Sequence, residues 1–154
     1  RTPVLMKQHP TVLCYNLHGD RARRVQLIAM RLGIRLRPVK KEEYSRTIAA
    51  LLDMEEGPAA PYEGEGFEHE MMLMAHFPSP LINSFLNAFR QAKVPAVKLK
   101  CVLTENNSKW DSIYLHTELS DEAAYFDAAR KEAQERMKAA NITPLHELKE
   151  NDES

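Results

Sequence analysis

The sequence predicts an α/β fold: a small three-layer α/β/α domain around a four-stranded, mostly parallel sheet. Two observations lead to this fold class. Four short apolar runs, typical of buried strands, alternate with segments whose apolar residues recur at helical spacing. The length of 154 residues, with 44% hydrophobic and 28% charged residues, suits one globular domain. The strand order 2-1-3-4 is favoured because it covers both sheet faces with helices, joined by right-handed crossovers.

The first half of the chain predicts two strands and two helices. Residues 11–16 form an apolar run that indicates the first strand. In the helix that follows, Asp20 is the expected cap and Gly33 the expected C-terminal stop. Residues 34–39 predict the second strand, and residues 42–54 predict a second helix.

The second half predicts a similar alternation. Residues 71–75 predict the third strand, and Ser79 followed by Pro80 indicates the start of a helix. Residues 94–103 predict the fourth strand. A further helix is expected to begin near residues 107–108.

The predicted α/β domain covers residues 11–119 and follows an N-terminal extension, residues 1–10. Residues 55–70 form an acidic loop rich in glycine and proline, and loops of this length are uncommon without a function or disorder. Residues 120–140 predict a C-terminal helix, and residues 141–154 are a polar tail. No internal repeat is visible in the sequence.

Charge is divided unevenly along the chain. Residues 1–41 hold ten basic residues and one acid, whereas residues 42–154 hold 11 basic and 21 acidic residues. We expect two opposed charged surfaces, suited to a protein partner or to a homo-oligomer. The basic surface would lie on the first helix and on the second strand as a sheet edge. Its candidate residues are Arg21, Arg24, Arg31, Arg35 and Arg37.

Two other roles remain open for these arginines. They could pair with the acidic loop 55–70, or bind a polyanion such as nucleic acid. The absence of a recognition-helix motif and of an aromatic stacking platform argues against nucleic acid. No apolar run reaches the length of a membrane helix, so no membrane association is predicted.

Sequence motifs for cofactors and metals are also lacking. Cys14 and Cys101 lie in apolar runs and are expected to be free thiols in a reducing cytoplasm. Residues 68–70, His76 and Cys101 include ligand types that zinc accepts, but no HExxH or paired CxxC occurs. There is no phosphate-binding glycine loop and no GxSxG motif. The prediction is therefore no metal and no cofactor.

Several polar residues follow the carboxyl ends of the predicted strands, where open α/β sheets bind ligands. In a parallel sheet they would converge on one edge, as a ligand site does. These residues are Asn16, His18, His76, Thr104 and Asn107. Lys100 could add an anion contact near Thr104, or serve with Lys98 to keep an edge strand from aggregating. Thr104 and Asn107 are also common turn and capping residues.

The segment 99–107, LKCVLTENN, followed by Trp110, resembles the signature of a small bacterial family, domain of unknown function 3783. The family pattern is roughly Lys-Ala-Val-Leu-Thr-Pro-Thr-Asn-x-x-Trp. It is matched by Lys100, Val102, Leu103, Thr104, Asn107 and Trp110, and it is not matched by Cys101, Glu105 and Asn106. The resemblance covers about residues 11–126 and implies a cytoplasmic bacterial protein without an established activity.

The function that these observations favour is a non-catalytic ligand-binding or regulatory module. One alternative is a small enzyme that uses His18 or His76 as an acid–base group, since histidine titrates near neutrality. That alternative requires a histidine within hydrogen-bond reach of Thr104 or Asn107. The other alternative is the binding of a polyanion through the basic N-terminal third.

Overall fold

The computed structural model describes residues 8–57 and 60–140. The predicted tail, residues 141–154, and most of the predicted N-terminal extension lie outside these ranges. The chain divides into two compact bodies, the first ending at Leu119 and the second beginning at Ser120. The elements in chain order are β1 (Thr11–Tyr15), α1 (Gly19–Arg31), β2 (Arg35–Pro38), a 3-10 turn (Lys41–Glu43), α2 (Ile48–Leu51), β3 (Met71–Ala75), α3 (Ser79–Gln91), β4 (Leu99–Val102), a 3-10 turn (Asn107–Lys109) and α4 (Ser112–Ala139).

The sheet has the predicted order β2-β1-β3-β4, so the α/β fold class is confirmed. The pairs β1–β2 and β3–β4 are parallel, whereas β1 and β3 are antiparallel. The sheet therefore consists of two parallel pairs that run in opposite directions.

Apolar side chains cover both faces of the sheet, because alternate residues of a strand point to opposite sides. On one face, Val12 and Met72 belong to a core with residues of α1 and α3, such as Val25 and Phe85. The core on the other face contains Leu13, Leu73, Tyr44, Ile48 and Leu115. This second layer is built from short elements: the one-turn α2, the start of α4 and the connecting loops.

Local sequence explains where several elements differ from their predicted bounds. Asp20 lies inside the first turn of α1 and pairs with Arg23, so it does not cap the helix. Residues 42–54 form a 3-10 turn followed by α2, whose first turn is capped by the Thr47 hydroxyl. The region 94–103 yields only the four residues of β4, because residues 94–98, which include Pro95, form no strand.

Two segments of the chain share one fold: residues 11–51, the first repeat, and residues 71–115, the second repeat. In each, a five-residue strand leads to a helix of 13 residues. The residue after each strand has a left-handed backbone, with φ of 60° at Asn16 and 64° at His76. Each helix is also followed by a left-handed residue, with φ of 69° at Gly33 and 58° at Lys93.

Hydrogen bonds repeat in the same way. The N–H of Val39 donates to the carbonyl of Cys14 at 2.9 Å, and the N–H of Leu103 donates to the carbonyl of Met74 at 2.9 Å. At the start of the last helix of each repeat, Thr47 Oγ1 accepts from Ala50 N at 3.1 Å, and Asp111 Oδ1 accepts from Tyr114 N at 2.8 Å. An extra segment, residues 95–98, accounts for the difference in length between the repeats.

Equivalent residues of the two repeats pair with each other at two places. Leu13 lies opposite Leu73 in the β1–β3 ladder, and Thr47 forms an isolated antiparallel bridge with Asp111. A local twofold axis therefore relates the repeats. The repeat is not visible in the sequence because the likeness lies in the backbone rather than in residue identity.

Candidate functional site

A cleft of about 640 Å³ opens at the carboxyl ends of the parallel strands β1 and β2. Its floor is mainly apolar and includes Leu17, Leu36 and Val39. The polar lining comes from β1 and β2 ends, the first 3-10 turn and the loop before β3: Asn16, His18, Lys40, Lys41, Glu65 and Glu68. Both the volume and this combination of apolar floor and few polar groups are typical of small-molecule sites.

The cleft is open because of two residues on α1. Ala22 and Gln26 line it, whereas the equivalent positions of α3 carry Ile82 and Leu86. Those two larger apolar side chains pack against the core beside α3. A small and a polar residue in their place leave the ends of β1 and β2 uncovered.

Asn16 fastens the loop that forms one wall of the cleft. Its Nδ2 donates to the carbonyl of Phe67 at 3.0 Å and to the carbonyl of His69 at 2.9 Å. Asparagine is among the few residues that tolerate the left-handed backbone found at this position. The amide donors of Asn16 are thus already used, and its role is to position the wall.

Aromatic stacking fixes the same loop from its other side. The Phe67 ring lies between Tyr44, with ring centroids 4.7 Å apart, and His116, with ring centroids 4.0 Å apart. His69 Nδ1 and His116 Nε2 are 3.0 Å apart and share a hydrogen bond. Burial, and the nearby His69, lower the pKa of His116, which favours the neutral ring. No sequence motif marks Phe67 as a site residue, and the sequence indicates His69 only as a type of residue that zinc accepts.

Gly66 allows this loop to approach the first 3-10 turn. Its φ of 72° favours glycine, and a Cβ there would lie 3.0 Å from Tyr44 Cε2 and 3.3 Å from Lys41 Cε. The loop wall and the lysines at the end of β2 therefore lie side by side.

The residues predicted to form one site lie at two opposite edges of the sheet. Asn16 and His18 follow β1, whereas His76 and Thr104 follow β3 and β4, which run the other way. The predicted convergence on one edge was wrong because it assumed that β1 and β3 are parallel. Around His76 there is a shallower cavity of about 550 Å³, which His9 and Pro78 also line. Burial lowers the pKa of His76.

Asn107 builds the turn after β4. Its Oδ1 accepts from Thr104 N at 2.9 Å, and its Nδ2 donates to the Val102 carbonyl at 3.1 Å. Its own N–H donates to Thr104 Oγ1 at 3.0 Å. Lys100 is likewise turned to the main chain, since its Nζ donates to the Val97 carbonyl at 2.8 Å. The side chains of Asn107 and Lys100 are therefore engaged within their own repeat.

The predicted basic surface is partly neutralised within the chain. Arg21 makes a two-pronged ion pair with Glu70, at 2.5 and 2.8 Å, and Arg37 makes one with Glu43, at 2.7 and 2.8 Å. Glu70 belongs to the acidic loop 55–70, so intramolecular pairing occurs at this point. Other members of the set are exposed: Arg24, Arg31 and Arg35.

Neither Cys14 nor Cys101 forms a disulfide bond. Cys14 lies at the cleft, and burial raises the pKa of its thiol to about 11. Within residues 8–57 and 60–140, no three metal-ligating side chains are grouped as a metal ion requires. No helix in the described part of the chain combines the length and apolar character needed to cross a membrane.

The turn built by Asn107 carries most of the residues of the family signature, from Lys100 to Trp110. Residues 70–126 match the model of the domain of unknown function DUF3783. The predicted resemblance is thus confirmed for this segment, which contains the second repeat. The cleft, lined by residues between Cys14 and Glu68, lies outside the DUF3783 match. No curated protein and no solved structure matches the chain.

The Arg37–Glu43 pair predicts a specific dependence of stability on acid. The hydrogen bonds from Arg37, assisted by the N–H of Lys40, lower the pKa of Glu43 from 4.5 to about 2. Because the folded state holds the carboxylate at a lower pKa than the unfolded state, its stabilisation is present above about pH 4.5. It is lost as the pH falls towards 2.

We expect Glu43→Gln to lose about 1–3 kcal/mol at pH 6 and to remove this part of the acid dependence. Urea unfolding at pH 6 and pH 3 measures both effects. The control is Glu132→Gln in the exposed Glu132–Arg136 pair, whose contact is 3.9 Å long; it should unfold like the original chain. Equal acid sensitivity in the Glu43 variant and the original chain would contradict the assignment.

Proposed function

We propose that this protein is a non-catalytic ligand-binding module and that the cleft of the first repeat is its site. The observation that supports this most strongly is the cleft itself, about 640 Å³ at the carboxyl ends of two parallel strands. We also infer a bacterial cytoplasmic setting, which the family resemblance supports. The proposal includes a regulatory role, which the protein would exert by binding its ligand in the cleft.

The enzyme alternative receives no support from the geometry it requires. It needs a histidine beside Thr104 or Asn107, but His18 lies at the opposite edge of the sheet. His76 shares their edge, but the cavity beside it is lined by residues 8–10 and Pro78 and includes neither Thr104 nor Asn107. The side chain of Asn107 bonds within its own turn. A polyanion site has less support than the cleft, because Arg21 and Arg37 are held by carboxylates.

The second repeat indicates which side chains would fill the cleft. The double variant Ala22→Ile/Gln26→Leu copies the residues that α3 carries at the equivalent positions. We expect it to fold and to lower the affinity of every cleft ligand at least about tenfold, a change of about 1.4 kcal/mol. The control, Leu27→Ile, lies on the exposed side of the same helix and should bind like the original chain.

The test is a fragment screen followed by two-dimensional ¹⁵N–¹H NMR. Fragments that shift the resonances of Asn16, Lys40 and Phe67, and that lose this effect in the double variant, would support the site. The proposal is overturned if no fragment shifts these resonances, or if the double variant binds the fragments undiminished.

A further inference from the structure

We infer that the ligand of the cleft is a small zwitterion with an apolar side group, as in a neutral amino acid. This inference rests on the proposed function and adds the chemical class of the ligand. It is carried by the charges on the rim of the cleft and by a comparison of the two repeats.

Four charged side chains of balanced sign line the cleft. Lys40 and Lys41 come from the end of β2, and Glu65 and Glu68 come from the loop before β3. All four are exposed, and among the described residues none of them has an opposite charge within 4.0 Å. The charges next to the cleft differ in this respect, since Glu43 and Glu70 are each bound by an arginine. The rim thus offers two cations and two anions that are available for a ligand.

A ligand with a single charge would be attracted by one pair, either the two lysines or the two glutamates. The same charge would be repelled by the other pair. A ligand that carries a carboxylate and an ammonium group can bind the lysines with one and the glutamates with the other. The apolar floor, which includes Leu17, Leu36 and Val39, suits an apolar side group. The whole lining therefore matches a zwitterion with an apolar side group better than a plain anion or cation.

The second repeat shows that the fold does not demand these charges. Thr104 and Glu105 stand where the first repeat has Lys40 and Lys41. Gln8 precedes β1 by the same three residues by which Glu68 precedes β3. The balanced set thus occurs in the repeat whose helix leaves the cleft open. The two repeats thus differ independently in the openness of the cleft and in its balanced charges, and both features occur in the cleft of the first repeat.

The probes are L-leucine and L-phenylalanine, each compared with its N-acetyl derivative, which lacks the cation, and its amide, which lacks the carboxylate. Binding is measured on the full chain by the NMR shifts of cleft residues. We expect each free amino acid to bind about tenfold to a hundredfold more tightly than either derivative, because a charge-assisted bond is lost in each.

Variants assign each charge to its partner. Lys40→Ala/Lys41→Ala should bind the amino acid and its amide equally, whereas Glu65→Gln/Glu68→Gln should bind the amino acid and its N-acetyl form equally. The control Glu105→Ala changes the exposed residue of the second repeat that is equivalent to Lys41, and it should bind like the original chain.

Two sets of outcomes separate this inference from the proposed function. The ligand class is overturned if a derivative binds as tightly as its parent, or if neither amino acid shifts cleft resonances while other fragments do. In both cases the cleft would still be a binding site. If no compound shifts cleft resonances at all, the proposed function fails as well.

Discussion

Replacing Asn107 by alanine is expected to lower the free energy of unfolding by about 2–4 kcal/mol. Asn107 is 6% exposed, and its side chain bonds both the N–H of Thr104 and the carbonyl of Val102. Alanine would remove both bonds and leave these main-chain groups without their partners. The turn after β4 would then lose the contacts that define its shape.

Urea unfolding at neutral pH measures the effect. Asn106→Ala is the matched control: Asn106 is the exposed neighbour, and a surface change of this kind alters stability by about 0.5 kcal/mol or less. If Asn107→Ala unfolds like the control, the turn does not depend on this amide. Asn107 would then again be a candidate for direct ligand contact.

Leu13→Ala and Leu73→Ala are each expected to cost about 2–5 kcal/mol, because both side chains are fully buried. They face each other across the β1–β3 ladder at the local twofold axis. The double variant should therefore lose less than the sum of the single losses, since the second truncation enlarges a cavity that already exists.

A double-mutant cycle on unfolding free energies gives the coupling. The comparison cycle combines Leu13→Ala with Phe85→Ala, which lies in the core on the other face of the sheet, and its two losses should add. Additive losses for Leu13 and Leu73 would show that the two side chains do not share a contact at the axis.

Strand positions were predictable from apolar runs, and the order of the strands followed from the need to cover both faces. The direction of β3 was not predictable. The connection before β3, residues 52–70, is long enough to let β3 run either parallel or antiparallel to β1. This one choice decides whether Asn16 and His76 share an edge. The sequence therefore identified residues that follow strands but grouped them wrongly.

The repeat is not detectable in the sequence because equivalent positions seldom carry the same residue. At aligned positions of residues 11–51 and 71–115, only Leu13/Leu73 and Leu51/Leu115 are identical. The shared left-handed backbone at Asn16 and His76 accepts different side chains, and Glu43 does with a carboxylate what Asn107 does with an amide. The contrast of Ala22 and Gln26 with Ile82 and Leu86 becomes a signal for the cleft only after the repeats are aligned.

The twofold axis also bears on how such a site can arise. In a dimer of two identical chains around the same axis, every substitution would occur in both halves. A substitution that opened one cleft would therefore also remove core packing beside the helix of the other half. Joined in one chain, the halves meet at an effective concentration on the order of millimolar, independent of how much protein is present. One half can then give up core packing for an open site, while the other retains the packing that keeps the shared sheet intact.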